Sequence, residues 1–347
     1  NWFKERDWIF SRYHENGDGL PVAVPEVLKN EFIQFDGNPQ SLRLLTQLQT
    51  SVGCVGLGLT AATLAASLKY PVGASGLDPE RSVRKKIGYF ESERHIVEWF
   101  RAETGLAEGA RHPLTWIMEA CDDIAYSVLD VDDAMKKGVV SPDDVLSILT
   151  HQPALRGSSA VAALRERYGK AEATGRRPEI VRDIKIGYFR ATMLDALVAE
   201  AGDSFVAQQD LITDLGDATP LMDGSRLCDV LKSVARQYAF SNCRVLEMEA
   251  VGAAAIQGLM TTFWRAISRR KVYDDLTSKR QDPIDKYVLA LISPNYLEAA
   301  ARSGEGDAGI VRYRELRLLT DMISGMTDSF TLKLWNELKD LHERASA

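Results

Sequence analysis

Residues 118–135 read MEACDDIAYSVLDVDDAM. Asp122, Asp123, Asp130, Asp132 and Asp133 crowd around one tyrosine in a stretch that is otherwise largely apolar. At ~100° per residue on a helix, Asp122, Tyr126 and Asp130 stack at i, i+4 and i+8, with Glu119 and Asp133 on the same stripe. Like charges at that spacing repel, and here a tyrosine separates them where a lysine would have paired them. The stripe borders a side made by Ile117, Met118, Cys121, Ile124, Ala125, Val128 and Leu129. A carboxylate there is costly unless it is paired or meets a cation. The pattern has two readings: a solvated acidic face, or carboxylates that hold a bound cation.

A helix must carry this stripe, and His112–Pro113 offers its start, since proline at an early helical position gives up an N–H that had no partner anyway. Helical periodicity dominates the rest of the chain. Apolar residues recur at three- and four-residue spacing in 41–50, 59–70, 93–103, 142–151, 182–202, 226–240 and 244–270. They do so again in 285–293, 312–328 and 329–345. NWFKERDWIF (1–10) also looks helical. The expected fold is all-α, with one short hairpin in 80–92. Loops are short and punctuated, at 16–21, 35–40, 74–80, 173–179 and 302–309. KIGYF occurs twice, at 86–90 and 185–189, with different flanks, and is read as coincidence.

The composition bounds the partners. The chain has 347 residues, 45% hydrophobic and 26% charged, with a formal net charge of -7. That balance argues against a strong nonspecific grip on nucleic acid or anionic membrane. No apolar run approaches the ~20 residues of a membrane span, and no signal peptide opens the chain, so a cytoplasmic location is expected. Cys54, Cys121, Cys228 and Cys243 form no CxxC pair and read as buried free thiols. GCVGLGLTAATLA (53–65) lacks the GxGxxG spacing and a preceding strand, so close helix packing accounts for its glycines better than a dinucleotide loop.

RHPLTWIMEACDDIAYSVLDVDDAM (111–135) resembles a block of the deoxyguanosine triphosphate triphosphohydrolases, metal phosphohydrolases of the HD superfamily. FDGNPQSLRLLTQLQ (35–49), GLGLTAATLAASLKYP (56–71), KKIGYFESE (85–93) and YRELRLLTDMISGMTDSFTLKLWNEL (313–338) match further blocks in order, so the resemblance spans nearly the whole chain. It implies an HD-type helical phosphohydrolase with a C-terminal helical extension. Residues 1–220 would be the C-terminal portion of the catalytic core and 221–347 a helical region packing on it, as one continuous domain. The reaction implied is hydrolysis of a deoxynucleoside triphosphate, with dGTP favoured, to deoxynucleoside and tripolyphosphate. The cofactor implied is a divalent Mn2+ or Mg2+. The assembly implied is a homo-hexamer, open to a nucleotide or single-stranded DNA effector.

By the same resemblance, Asp122 is a metal ligand. Tyr126 and Asp130 lie beside the deoxyribose, where a close tyrosine ring leaves no room for a 2′-hydroxyl. Asn38, Lys69, Tyr70 and Lys86 contact phosphate, with Gln40 and Arg43 on the helix turn after Asn38. Glu247 and Glu249 are weaker candidates for base or interface contacts. Each has an ordinary structural reading as well. FDGNPQ is a credible turn and cap, and Lys69 as the end of a helix would suit the helix dipole.

The chain also departs from the family pattern. None of His14, His95, His112, His151 and His342 is followed by Asp. The resemblance places the missing His and His-Asp, and a glycine-rich stretch with a further His and Glu, before an Asn-x-Trp-Phe-like segment. The catalytic His and Glu are therefore expected upstream of Asn1. The alternative is a non-catalytic deoxynucleotide-binding or regulatory homologue that lacks them. A phosphodiesterase for another nucleotide fits Asp122, Tyr126 and Asp130 less well.

Overall fold

The computed structural model describes residues 2–51, 54–216, 218–302 and 306–346. Asn1, Gly53 and part of the expected 302–309 loop lie outside the described residues. The chain is all-α. It forms two compact units: Asn1–Arg111 with Ala250–Ala347, and His112–Glu249. The boundary expected after residue 220 falls inside the second unit.

The first unit holds α1 (Glu26–Ile33), α2 (Gly37–Arg43), α3 (Ala61–Ser67) and α4 (Arg94–Thr104) from the N-terminal part. NWFKERDWIF is not α-helical. Residues Lys4–Phe10 form 3-10 turns broken at Arg6, because Trp2 and Phe3 turn inward. Trp2 donates its indole N–H to Thr261 Oγ1 at 2.9 Å. Phe3 and Phe10 pack with Phe32, Phe263, Trp264 and Tyr313 in one core. Burying each such aromatic side chain stabilises the fold by about 2 kcal/mol.

The hairpin expected in 80–92 is absent. That stretch holds two 3-10 turns, Ser82–Arg84 and Glu91–Glu93. A two-residue antiparallel pairing, Thr50–Ser51 (β1) with Cys54–Val55 (β2), lies elsewhere. The glycines of 53–65 also serve differently than expected. Gly56 has a φ of +73°, and a Cβ there would sit 2.6 Å from the carbonyl oxygens of Leu45 and Thr46. It makes a turn against backbone, and α3 starts only after Thr60, whose hydroxyl caps Thr63 N–H.

The second unit contains α5 (Pro113–Lys136), α6 (Pro142–His151), α7 (Ser159–Glu172), α8 (Pro178–Thr213) and α9 (Arg226–Val234). Helix α8 packs along α5 and α7, and α9 packs on α5. Val128, Val131, Met135, Leu164, Phe189, Met193 and Leu197 are fully buried. Helix α10 (Cys243–Ser268) follows, then α11 (Pro283–Ala290), α12 (Pro294–Ala301), α13 (Val311–Ser324) and α14 (Asp328–Ser346). Of the thiols, Cys228 is buried as expected, whereas Cys121 and Cys243 are exposed. The side chain of Cys54 lies outside what is described.

Candidate functional site

Helix α5 starts where Pro113 predicts, and His112 caps it by accepting the Leu114 N–H on Nδ1 at 3.2 Å. Burial lowers the pKa of His112, which favours the neutral ring that a capping acceptor requires. The buried face is rotated from the expected one. Trp116, Ala120, Ile124, Val128, Val131 and Met135 point inward, while Ile117, Cys121 and Leu129 are exposed. Asp132, fully buried, moves the balance: its carboxylate meets Arg190 at 3.0 Å and Lys136 at 2.6 Å. Two cations offset a charge that the wheel would have left in solvent.

The other acidic residues of α5 divide into two groups. Asp123 pairs with Lys232 at 2.9 Å, and Asp133 reaches Lys136 at 3.7 Å. Asp122 is half-buried and has interactions of its own. Tyr126 is 63% exposed, and neither it nor Asp130 makes a hydrogen bond or ion pair among the described residues. Burial raises the pKa of Asp130, and Asp133 adds to the effect.

In the first unit the phosphate candidates are arranged by two residues, Asp36 in the cap expected at FDGNPQ and Gly88, which the sequence did not single out. Asp36 caps α2: it accepts the Asn38 backbone N–H at 2.9 Å and also bonds the Asn38 side-chain amide. The same carboxylate receives Lys86 Nζ at 2.8 Å. Two candidates 48 positions apart in sequence are thus gathered on one aspartate. Burial would raise the pKa of Asp36, but the bonds from Lys86 and Asn38 prevail and lower it. Lys86, whose side chain is 49% exposed, has its pKa raised by the bond to Asp36, and stays charged. The turn and cap expected at FDGNPQ are therefore present, whereas the reach of Asp36 to Lys86 was not expected.

Gly88 is the second. Its N–H donates to Val72 O at 2.9 Å, and a Cβ on it would lie 1.5 Å from Tyr70 O. The Lys69–Tyr70 segment can therefore lie against the Lys86 segment only because residue 88 has no side chain. Lys69 does not end a helix. Helix α3 stops at Ser67, and Lys69 sits in a bend beyond it, half-buried. Tyr70 is 4% exposed, with the Arg111 guanidinium 5.9 Å from its ring centroid. We expect Gly88→Ala to cost about 3 kcal/mol, since backbone must move to admit the methyl group. A denaturation midpoint unchanged from the parent protein would contradict this close approach.

Gln40 and Arg43 have protein partners here. Both are buried on Asp321, with Arg43 also on Glu93. Glu247 and Glu249 are exposed on α10. Three cavities of the first unit, about 570, 550 and 490 Å³, include none of Asn38, Lys69, Tyr70 and Lys86 in their lining, and Arg43 borders the third.

Comparison with known proteins decides the family. A deoxyguanosinetriphosphate triphosphohydrolase-like protein of Listeria monocytogenes is 31% identical over 346 residues, 98% of this chain and 72% of its own length. The chain belongs to the deoxyguanosine triphosphate triphosphohydrolase family. A deoxyguanosinetriphosphate triphosphohydrolase of Salmonella typhimurium is 29% identical over 378 residues, 96% of this chain and 73% of its own length. No family model matches. Membership in the triphosphohydrolase family implies a divalent metal, and the donor set can be tested against one. Among the described residues, no three His, Cys, Asp or Glu side chains come together where a metal ion could be held. Such ions take several ligands, so Asp122 with its described surroundings does not fit the group. Among the described residues, no helix is long and apolar enough to cross a membrane.

Proposed function

We propose that this protein acts on deoxynucleoside triphosphates, with dGTP favoured, and hydrolyses them to deoxynucleoside and tripolyphosphate. In that reaction a water oxygen bonds to the α-phosphorus, the bond from phosphorus to O5′ breaks, and O5′ leaves protonated. Lys86 and Lys69 supply positive charge and Asn38 an amide donor for the triphosphate, with Tyr70 at the turn that places Lys69. Asp130 accepts from the 3′-hydroxyl, and the Tyr126 ring stands against C2′.

The pattern on α5 carries this reading. Asp123, Asp132 and Asp133 are occupied by cations, whereas Tyr126 and Asp130 make no hydrogen bond or ion pair among the described residues. Surface stability does not call for such a pair, but a sugar with one hydroxyl edge and one apolar edge does. A second reading, a non-catalytic deoxynucleotide-binding homologue, is favoured by the lack of a metal-ligand cluster among the described residues.

Phosphorus NMR of the purified protein with each deoxynucleoside triphosphate, with and without added Mn2+, separates the two. Tripolyphosphate formed in proportion to protein establishes the hydrolysis. Saturable binding without turnover establishes the second reading. For the sugar contacts, Asp130→Ala should weaken deoxynucleotide binding about tenfold, the loss of one charged hydrogen bond. Tyr126→Ala should narrow the preference for deoxy- over ribonucleotide. An unchanged preference in both variants would remove Tyr126 and Asp130 from the sugar site.

A further inference from the structure

Arg317, on α13, is 1% exposed, and among the described residues no acceptor meets its Nε, Nη1 or Nη2. Its guanidinium lies 3.6 Å from the ring centroid of Phe90, 4.3 Å from that of Phe32 and 5.6 Å from that of Tyr313. Aromatic rings engage the faces of a guanidinium, while its N–H groups point outward in its plane and still need acceptors. The neighbouring carboxylates make their hydrogen bonds elsewhere, although Glu31 feels the charge of Arg317. Glu93 and Asp321 are bound to Arg43 at 2.6 and 2.7 Å. Glu31 accepts the Tyr313 hydroxyl at 2.6 Å and the Glu91 N–H at 2.9 Å. A buried cation left in this state costs several kcal/mol unless something supplies oxygens.

Arg317 lines a cavity of about 490 Å³ whose other charged walls are mainly cationic: Arg43, Arg302 and Arg314, with His95 also present and Glu93 the one acid among the described lining residues. Arg314 is fixed in place by donating to Ala300 O at 2.6 Å and Ala301 O at 3.2 Å. Arg302 and His95 are exposed, so they form the accessible side of the cavity. Asn38, Lys69, Tyr70 and Lys86 do not line it.

We propose that this cavity is an anion site, built for the oxygens of a phosphate-bearing small molecule, with Arg317 the buried cation that the ligand satisfies. The volume admits a chain of phosphates, and guanidinium groups match phosphoryl oxygens two at a time. The inference does not depend on the hydrolytic reading, since it uses none of its residues.

The test is calorimetric titration of the protein with inorganic tripolyphosphate, and with citrate as a carboxylate of comparable charge. A Lys69→Ala/Lys86→Ala protein serves as the background, so that the proposed substrate contacts cannot account for the signal. Saturable tripolyphosphate binding should survive in that background, exceed citrate binding, and weaken at least tenfold when Arg302→Gln and His95→Gln are added. Arg317→Met should abolish it, and should lose the rise in melting temperature that tripolyphosphate gives the parent. Should Arg317→Met fail to fold, the variants at the exposed side decide alone. No binding in the Lys69→Ala/Lys86→Ala background, binding indifferent to Arg302 and His95, or equal binding of citrate overturns the proposal.

Discussion

Arg43→Met should lower the stability of this protein by about 4 kcal/mol, the cost of breaking a buried ion pair from one side. Arg43 is 3% exposed. Its Nε donates to Asp321 at 2.7 Å, its Nη2 reaches the same carboxylate at 2.7 Å, and its Nη1 meets Glu93 at 2.6 Å. Gln40 adds a third donor to Asp321 at 3.1 Å. Removing the guanidinium leaves two carboxylates, 1% and 0% exposed, with only the Gln40 amide on Asp321 and the Ser92 hydroxyl on Glu93. Methionine refills the volume but accepts no charge, so the loss reports electrostatics and not a cavity. Replacing Asp321 as well, in Arg43→Met/Asp321→Leu, should recover part of the loss, because only Glu93 then remains unpaired. Urea midpoints of the parent, single and double variants provide the measurement. A single variant within 1 kcal/mol of the parent would mean that the network contributes little.

The same network shows where sequence reading stops. Arg43 follows Asn38 and Gln40 in a segment that resembles a phosphate loop, and its charge alone suggests a donor for the ligand. Nothing local says that Asp321, 278 positions later, claims it. KIGYF makes the point within a single chain. At 86–90 it is non-helical backbone, Lys86 reaches Asp36, and Gly88 abuts Tyr70 O. At 185–189 it is a turn of α8, Lys185 is buried between Asp143 and Glu172, and a Cβ on Gly187 would meet nothing within 4 Å. Five identical residues take two conformations because their partners differ, and the partners are distant in sequence.

Periodicity carried most of the fold. Helices α8, α10 and α14 lie over segments expected to be helical, and His112–Pro113 marks the start of α5. Helices α1, α7 and α12 were not visible by that route. In α7, SAVAALRERYGKAE, small residues occupy much of the buried face and blur the apolar stripe. The face of α5 was misplaced for a related reason. The wheel treats every aspartate as a surface residue, and Asp132 is inside because Arg190 reaches it from α8. Among the candidate residues, types were legible on α5 and the cap was legible in FDGNPQ, but the bond of Asp36 to Lys86 and the role of Gly88 were not. A cap and a missing side chain organise other residues and carry no chemistry of their own.

Glu31 sets a second large effect, with a sign opposite to that of most carboxylates. Burial pushes its pKa up to about 7, against the pull of Arg317, the Tyr313 hydroxyl and the Glu91 N–H. Its ordinary value is 4.5. Between those two values the folded protein holds a proton that the unfolded chain has released, so stability falls as pH rises. The contribution is complete below about pH 4.5 and lost through about pH 7, and over that window it amounts to about 3 kcal/mol. Glu31→Gln keeps one oxygen to accept the Glu91 N–H, turns an amide N–H toward the Tyr313 hydroxyl oxygen as the protonated carboxyl would turn its O–H, and has no proton to lose. Its stability should match the parent near pH 4.5 and exceed it near pH 8. The difference between the two proteins isolates Glu31, since every other titrating group is common to both. Urea midpoints taken at half-unit steps in a phosphate-free buffer measure that difference, and two parallel curves would show that Glu31 titrates no differently in the folded and unfolded chains.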